Sequence, residues 1–366
     1  MRTSQTATVC RMLAVLILGC LAVASCNQSH PDVESPSERR MPSGVVLLRG
    51  SPQDIGRQHG TLLADRIRLM IHEYVGEDME SERLKDSVLV RVHAMKPALP
   101  EWYRQELSAC AKAANVDEDV LLYAQCEGDI RSLGGCTSFV AFGAATHDGR
   151  MEIGRNFDYW GLESTDRCAV IFAVVPRPED GYAFLSVGWT GILGGWTFLN
   201  EKGLFVSNDI GGFNEKNPQG VPTLILARII TQKAATVNEA IAIIKKTPRM
   251  RGQALVIGRA GDPATSTTHD AAVVLYGGAT VEVMRSRNGF AFHTSTGTDK
   301  DRLLEILRLP TRRPTDAIQS AGTHITLHSV AIYPQDHTLW VAHGRKSSAH
   351  LGEYVKYDVR SLLQRR

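Results

Sequence analysis

The sequence lacks the short motifs that mark several common kinds of catalytic and binding site. It has no C-x-x-C pair and no H-E-x-x-H, so neither a structural zinc nor a zinc-protease site is predicted. It also has no G-x-S-x-G, no P-loop and no G-x-G-x-x-G, which argues against a serine-hydrolase elbow and against common nucleotide sites. We therefore expect no metal and no cofactor.

The sequence also lacks an excess of either charge. It contains 41 basic and 39 acidic residues and no block of Lys or Arg. Two of the arginines, Arg2 and Arg11, belong to the N-terminal leader, so the rest of the chain is balanced. Proteins that bind nucleic acid usually present a basic stripe or patch. Nucleic acid is therefore not an expected partner.

Cysteine is too scarce for a disulfide scaffold. Three of the seven cysteines lie within the first 26 residues, and four remain, namely Cys110, Cys126, Cys136 and Cys168. Small secreted domains that depend on disulfides carry cysteines at a much higher density. An exported protein could still bridge Cys110 and Cys126, and the sequence leaves this pairing open.

The first 25 residues have the pattern of a secretory signal. Two arginines precede an apolar run at 12–25 (MLAVLILGCLAVAS), which ends in small residues and is shorter than a membrane span of about 20 residues. The tetrapeptide VASC at 23–26 resembles the lipobox of bacterial lipoproteins, which implies a lipid on Cys26. The alternative is an ordinary secreted protein with an incidental cysteine.

This interpretation places the protein in the cell envelope. It would be exported across the cytoplasmic membrane and held by the lipid on Cys26, at the periplasmic face or the outer membrane. Residues 26–43 are polar, contain Pro and Ser and show no apolar period, so they are predicted to form a flexible tether.

The remaining sequence predicts an α+β fold. Residues 44–135 are mostly helical in pattern, and Ser51, Pro52 and Asp54 have the form of a helix start. From Cys136 onward strand patterns come in adjacent runs, beginning with a hairpin of 137–145 and 151–159. Adjacent runs of strands separated by paired helices are typical of antiparallel sheets rather than of alternating βαβ units.

We therefore predict a four-layer αββα sandwich. Two antiparallel sheets would lie face to face, with helices on both outer faces. The segment 136–366 would pack with the helical segment 44–135 as one domain.

Cys136 stands behind two glycines and at the start of a predicted strand. If the Gly135–Cys136 bond were cut, one residue would carry both a thiol and an α-amine, whose ordinary pKa is about 7.7–8.0. The amine could then deprotonate the thiol, and no catalytic histidine would be needed. The thiol itself could make the cut by attacking the Gly135 carbonyl. Gly134 and Gly135 suit this step because glycine tolerates strained backbone.

Three further residues can be given roles around Cys136. A buried cation lowers the pKa of a thiol, and Arg155 could supply it. Asp158 could accept a hydrogen bond from the new ammonium group, although residues three apart in a strand point to opposite faces except at a bulge or strand end. The amide of Asn208 could bind a tetrahedral oxyanion. Equally, Cys136 could be a buried apolar residue, Arg155 and Asp158 a local ion pair, and Asn208 a turn former.

The motifs around these residues resemble those of N-terminal-nucleophile hydrolases, in particular the penicillin acyltransferase-like cysteine peptidases, which are related to choloylglycine hydrolases and acid ceramidase. The resemblance covers about residues 44–345. It rests on GCTS at 135–138 and GRNFDY at 154–159, supported by GSPQDIGRQHG at 50–60, NEKGL at 200–204, LHSV at 327–330 and LWVA at 339–342.

The resemblance implies the αββα sandwich, self-cleavage before Cys136 and action on linear amides. It makes Cys136 the nucleophile, Arg155 and Asp158 supporting residues and Asn208 an oxyanion residue, although Asn208 falls about two residues short of the bile-salt hydrolase pattern. The acyltransferase relatives usually read His-Thr-Asn-His where this chain has HTST at 293–296. Ser295 therefore stands in place of an oxyanion asparagine, and it or Thr294 could substitute.

The leading hypothesis is thus a lipid-anchored amidohydrolase of small-molecule or peptide amides, with acyl transfer to an amine as the alternative. Aromatic residues in 189–198 and Phe213 would line an acyl pocket or simply pack in the core. A second hypothesis is a non-catalytic binding or envelope lipoprotein on the same scaffold, which the departure at Ser295 favours. A third is a papain-like protease, which would need a histidine such as His293 or His328 beside the thiol.

Overall fold

The computed structural model describes residues 44–131, 134–160, 165–261, 268–344 and 348–364. The predicted signal (1–25), the lipidation site Cys26 and the tether (26–43) lie outside the described residues. No helix in these ranges is both long and apolar enough to cross a membrane.

The described residues form eleven α-helices and fourteen strands. The helices are α1 (Pro52–Glu80), α2 (Glu82–Met95), α3 (Glu101–Ala114), α4 (Glu118–Ala124), α5 (Glu127–Arg131), α6 (Thr165–Cys168), α7 (Thr223–Lys233), α8 (Val237–Lys246), α9 (Lys300–Leu307), α10 (Asp316–Ser320) and α11 (Val359–Leu363). The strands are β1 (Val45–Gly50), β2 (Gly135–Gly143), β3 (Gly149–Asp158), β4 (Ala169–Pro176), β5 (Phe184–Trp189), β6 (Thr197–Asn200), β7 (Leu204–Asp209), β8 (Gln253–Arg259), β9 (Asp270–Tyr276), β10 (Val281–Arg285), β11 (Phe290–Thr294), β12 (Thr326–Tyr333), β13 (Thr338–His343) and β14 (Val355–Asp358).

The strands build two sheets. One has the order β1-β4-β5-β6-β7-β8-β9-β10 and the other the order β11-β2-β3-β12-β13-β14. The predicted α+β class with two sheets is confirmed. The prediction of purely antiparallel sheets needs one correction, because β1 pairs with β4 in parallel. A long connection separates these two strands, so their directions are not constrained by a tight turn.

Burial on both faces of the sheets explains the layers. In β4, Phe172 and Val174 pack in a cluster with the helices, whereas Ile171 and Ala173 pack in the cluster between the sheets. Successive side chains of a strand point to opposite faces, so a continuous apolar run is buried on both sides. A third cluster joins Phe139 of β2 to α9 and α10 on the outer face of the second sheet.

The first helix begins where the sequence predicts. The Ser51 side chain accepts a hydrogen bond from the Asp54 amide at 3.2 Å, and the Asp54 carboxylate accepts one from the Ser51 amide at 3.1 Å. This reciprocal pair satisfies two of the amide groups that a helix start leaves free. By contrast, α2, the short helices α5, α6, α10 and α11 and the short strands β6 and β14 were not predicted, because none has a long and strong periodic pattern.

The cysteine pairing that the sequence left open is not formed. Cys110, Cys126, Cys136 and Cys168 are all free and buried. Burial raises the pKa of the Cys110 and Cys126 thiols. These two cysteines therefore behave as small apolar core residues rather than as reactive thiols.

Gly56 provides a test of how α1 packs on α3. A Cβ atom at Gly56 would lie 2.1 Å from the backbone oxygen of Glu106, so Gly56→Ala would push the two helices apart. We expect the substitution to lower the free energy of unfolding by about 1–3 kcal/mol, as overpacking usually does. Urea denaturation measures the change.

Gly76→Ala is the matched control in the same helix. Its Cβ would approach only the exposed ring of His72, at 3.3 Å. Alanine is the better helix former by about 1 kcal/mol, so Gly76→Ala should leave stability unchanged or raise it. Equal losses at both positions would contradict the packing explanation.

Candidate active site

Cys136 is the second residue of β2 and lies at the end of the strand. Its side chain is 2% exposed. The two preceding glycines are required for different reasons. Gly134 has a φ of +106°, which favours glycine, whereas a Cβ at Gly135 would lie 2.6 Å from the Cγ2 atom of Thr296. The prediction attributed both glycines to backbone strain, but only Gly134 has a conformation that favours glycine.

Pairing between β2 and β3 places Arg155 on the same face as Cys136. Cys136 lies opposite Phe157, and Ser138 lies opposite Arg155. The fully buried Arg155 donates from Nη2 to Cys136 Sγ at 3.3 Å and to the backbone oxygen of Asn208 at 2.8 Å. The predicted cation is therefore in direct contact with the thiol.

The counterion of Arg155 is Asp209 rather than Asp158. The closest contact between Arg155 Nη2 and Asp209 Oδ1 is 3.7 Å, and both side chains are fully buried. Asp209 also accepts a hydrogen bond from Ser138 Oγ at 2.9 Å. The alternative of a local Arg155–Asp158 ion pair is therefore wrong.

His328 is a second partner of Arg155 that sequence reasoning assigned only to a protease hypothesis. Arg155 Nη1 lies 3.3 Å from His328 Nε2, and Thr197 Oγ1 lies 2.9 Å from the same nitrogen. A guanidinium can only donate, so Nε2 must accept. Burial and the charge of Arg155 hold the pKa of His328 well below its usual value. The imidazole is therefore neutral.

Asp158 lies at the end of β3, on the opposite face from Arg155. Its Oδ1 accepts hydrogen bonds from the hydroxyls of Thr323 at 2.8 Å and Thr326 at 2.5 Å. Its Oδ2 is buried and has no hydrogen-bond partner among the described residues. Asp158 pairs in register with Gly135. Asp158 therefore lies at the end of β3, beside the residue that precedes Cys136. A strand end is one of the positions from which residues three apart can serve the same site.

Asn208 contributes its backbone and its side chain in different directions. The backbone oxygen accepts from Arg155 and lies 3.8 Å from Cys136 Sγ. The side chain lines a cavity, where Oδ1 has no hydrogen-bond partner among the described residues. Oδ1 can therefore accept a hydrogen bond from a bound molecule without breaking a protein contact.

Ser295 lies against the backbone of Cys136. The Cys136 amide donates to Ser295 Oγ at 2.9 Å, and the Ser295 amide donates to the Cys136 oxygen at 2.9 Å. The adjoining segment is held by Thr137, whose hydroxyl contacts those of three other threonines at 2.8–2.9 Å, namely Thr294, Thr296 and Thr298. Ser295 thus contacts the nitrogen that would become the terminal amine.

The pKa of the Cys136 thiol is raised to about 12. Burial is the largest cause, Arg155 lowers the pKa, and the charges of Asp209 and Asp158 raise it. The prediction that Arg155 favours the thiolate is correct in direction, but burial outweighs it in the uncut chain. A buried thiol with this pKa is almost entirely protonated near neutral pH.

The cavity beside Cys136 has aromatic walls. It encloses about 770 Å³ including the solvent at its mouth. Trp189 and Trp196, from the stretch predicted to form an acyl pocket, line it together with Phe157 and Tyr159, whereas Phe213 is not among its described lining residues. Within the described ranges, no group of three or more His, Cys, Asp or Glu could hold a metal ion.

A family model matches the middle of the chain. The model for acyl-coenzyme A:6-aminopenicillanic acid acyl-transferase matches residues 145–294, which include Arg155, Asp158 and Asn208 but neither Cys136 nor Ser295. The predicted family resemblance is confirmed. Cysteine amidohydrolases and acyltransferases of the N-terminal-nucleophile type make up this family.

An uncharacterised protein of Archaeoglobus fulgidus is 26% identical over 237 residues, which are 56% of this chain and 39% of that protein. The match thus spans about two fifths of the curated relative's length.

Three solved structures are similar at lower identity. The N-acylethanolamine-hydrolyzing acid amidase ortholog of Caenorhabditis elegans is 17% identical, covers 54% of this chain and 93% of its own, and has a TM-score of 0.42. Penicillin V acylase from Agrobacterium tumefaciens is 14% identical, with coverages of 57% and 83% and a TM-score of 0.38. A variant of conjugated bile acid hydrolase from Clostridium perfringens is 11% identical, with coverages of 63% and 95% and a TM-score of 0.43.

The charge of Asp209 should be measurable through the reactivity of Cys136. Removing it in Asp209→Asn leaves Arg155 beside the thiol and should lower the thiol pKa. Alkylation by iodoacetamide at about pH 8 should become about threefold to tenfold faster, because a shift of one pKa unit changes the thiolate fraction about tenfold. Mass spectrometry of the tryptic peptide 132–150, in which Cys136 is the only cysteine, measures the alkylation. Because this peptide spans the Gly135–Cys136 bond, it comes only from chains in which that bond is intact.

Asp270→Asn is the control for this measurement. Asp270 is a surface carboxylate paired with Arg285, and both are well exposed. Its removal should leave alkylation unchanged. An Asp209→Asn chain that remains folded and reacts no faster than the parent would contradict the electrostatic account.

Proposed function

We propose that the protein is an amidohydrolase of linear amides that uses Cys136 as an N-terminal nucleophile. The observation that carries the proposal is the contact of 3.3 Å between the buried Arg155 guanidinium and Cys136 Sγ beside an aromatic cavity. Water is the acyl acceptor in this proposal. Transfer of the acyl group to an amine is the alternative, and it is favoured by the acyl-transferase activity for which the matching family is named.

Maturation would begin with attack of Cys136 Sγ on the carbonyl carbon of Gly135. The C–N bond breaks, the thiol proton passes to the departing nitrogen, and a thioester joins Gly135 to the sulfur. Water then hydrolyses the thioester and frees both the Gly135 carboxylate and the thiol. The hydrogen bond from the Cys136 amide to Ser295 Oγ supports this step, because it holds the departing nitrogen in place.

The α-amine of the new N-terminus is the best available base. In the uncut chain the polar partners of Sγ among the described residues are Arg155, the Asn208 carbonyl and the backbone of Ile210, and none of them can accept its proton efficiently. His328 is engaged by Arg155 and Thr197, and His293 Nε2 contacts the Ile210 oxygen at 2.8 Å. These contacts speak against the papain-like hypothesis.

Turnover would follow the same chemistry with an external amide. The amine takes the thiol proton, the thiolate attacks the carbonyl, and the side-chain amide of Asn208 donates to the oxyanion. The protonated amine then gives its proton to the leaving nitrogen, and water resolves the acyl-thioester. Arg155 stabilises the thiolate, and Ser295 and Asp158 orient the terminal ammonium. The aromatic walls favour fatty-acyl or aryl-acyl groups, with peptides as the next class.

We also propose that the protein is exported and carries a lipid on Cys26. This part of the proposal rests on the leader pattern at 1–26. A lipid would hold the enzyme at a membrane surface, where acyl amides of low solubility accumulate.

Intact-mass measurement of the membrane fraction from bacterial cells tests both maturation steps. The expected products are an N-terminal piece that begins at a diacylated Cys26 and ends at Gly135, and a C-terminal piece that begins at Cys136. Cys136→Ala should remain one lipid-bearing chain, and Cys26→Ser should be cut at Gly135–Cys136 without a lipid.

Cys168→Ala is the matched control, since Cys168 is also free and buried. It should be cut like the parent. A parent chain that stays uncut with an unreactive Cys136 would favour the non-catalytic lipoprotein.

Asn208→Ala should separate binding from chemistry. The substitution keeps the backbone oxygen that holds Arg155 and removes only the side-chain amide. Loss of one oxyanion donor typically lowers kcat by about 10²–10³, and we expect this loss with little change in KM for a hexanoyl anilide. Asn217→Ala, at a half-buried loop position outside the described cavity lining, is the control. An unchanged kcat in Asn208→Ala would remove Asn208 from the mechanism.

A further inference from the structure

One part of the cavity lining is rich in hydrogen-bond acceptors. Glu127 and Asp129 of α5 lie on it together with Gln253 at the start of β8, and we call these three residues the acidic wall. The charged residues among the described lining of the cavity are all acids, since Asp158 and Asp209 are the other two and neither Lys nor Arg occurs there.

Asp129 keeps unused capacity as an acceptor. It is 7% exposed, and each of its carboxylate oxygens accepts one hydrogen bond from Thr223, at 2.6 Å from the hydroxyl and 3.0 Å from the amide. A carboxylate offers about four lone-pair sites. The nearby Arg251 donates to the Asp129 backbone oxygen at 3.1 Å.

Gln253 is the observation that points to a bound group. It is 6% exposed and lines the cavity, yet its Oε1 has no hydrogen-bond partner among the described residues. Leaving a buried polar atom unsatisfied typically costs about 1–3 kcal/mol. A ligand that donates a hydrogen bond at this position would remove that cost.

The rest of the lining suits a cation. Glu127 accepts from the Tyr74 hydroxyl at 2.8 Å, and the nearby Arg131 is paired with Asp78. Tyr74, Phe157, Tyr159 and the exposed Trp160 supply aromatic rings to the same cavity. Aromatic faces attract ammonium groups, and the attraction is strongest where water is excluded.

We propose that the acidic wall selects amides that carry a protonated amino group and rejects amides that carry a carboxylate. This inference rests on the proposed function only in taking the cavity as the substrate site. An ammonium group has three donors, which matches the free acceptor sites of Asp129 and Gln253. A carboxylate would meet acceptors and like charges.

The pH dependence should follow Asp129. Burial, the largest cause, and the charge of Glu127 raise its pKa, Thr223 and Arg251 oppose the rise, and the net result is a pKa of about 6. The carboxylate is therefore charged above about pH 6 and neutral below it. Preference for a cation should weaken as the pH falls through 6.

Binding to the full Cys136→Ala chain tests the inference without requiring turnover. Calorimetry at about pH 7.5 would compare n-hexylammonium, n-hexanol and n-hexanoate. The Kd of the ammonium should be at least about tenfold lower than that of the carboxylate, with the alcohol between them. Equal affinity for the two ions, or tighter binding of hexanoate, would overturn the proposal.

Two substitutions in the Cys136→Ala chain locate the effect. Asp129→Asn and Gln253→Leu should each reduce the ratio of the two ionic affinities by about fivefold or more. Two variants are used because Asp129 also binds Thr223 and its replacement could disturb folding. Glu179→Gln, an exposed acid, is the control and should leave the ratio unchanged. A ratio that persists in both folded variants would also overturn the assignment to the acidic wall.

Turnover by the parent chain separates this inference from the proposed function. The substrates are 6-aminohexanoyl, hexanoyl and 5-carboxypentanoyl anilides, together with hexanoyl amides of matched charged and neutral amines. Turnover of the neutral hexanoyl anilide with no charge preference in either the acyl or the amine series would contradict this inference and leave the proposed function standing. Selective binding of hexylammonium without turnover of any amide would contradict the proposed hydrolase activity. The acidic wall would then still be a site that binds cations.

Discussion

The site depends on the guanidinium of Arg155, which is fully buried. A buried Arg is costly unless its donors are satisfied. The two Nη atoms of Arg155 reach three other strands, whereas its Nε has no hydrogen-bond partner among the described residues. The Nη atoms contact Cys136 of β2, Asn208 and Asp209 of β7 and His328 of β12. Strand β7 belongs to one sheet and the others to the second. The same charge therefore joins the two sheets and positions the thiol between them.

The register of β2 against β3 decides which residues can meet at this charge. Cys136, Ser138, Arg155 and Phe157 share the inner face, and a slip of one residue would turn all of them away. Much of this was predictable, because a hairpin with a turn at 147–149 and alternating apolar residues is a local signal. The spacing of Arg155 and Asp158 also predicted that they could serve one site only at a bulge or a strand end, and Asp158 is the last residue of β3.

The remaining partners could not be derived from local patterns. Asp209 follows Asn208 directly, and its sequence context predicts part of a turn. Its role as the counterion of Arg155 depends on β7 lying across from β3 in the other sheet. His328 is opposite Phe157 only because β12 pairs with β3 across more than 160 residues. Gln253 and Asp129 meet one cavity through two elements that are also far apart in sequence. Non-local pairing of this kind cannot be seen in the periodicity or spacing of the sequence. The helix cap at Ser51 and the first hairpin are local features, and the sequence does show them.

Burial gives the uncut thiol a property that the sequence argument did not include. Enclosure by the two sheets raises the pKa of Cys136 beyond what Arg155 can offset. While Gly135 is still attached, the thiol is therefore almost entirely protonated, and the surrounding side chains offer no base in direct contact that would let it turn over external amides. In the proposed mechanism, chain scission supplies that base and adds a positive charge at a strand end where an oxygen of Asp158 is buried without a hydrogen-bond partner in the described part of the chain. The new ammonium would satisfy this oxygen, and its charge beside Sγ would act in the same direction as Arg155. One covalent change would thus relieve a buried unsatisfied acceptor and activate the nucleophile together.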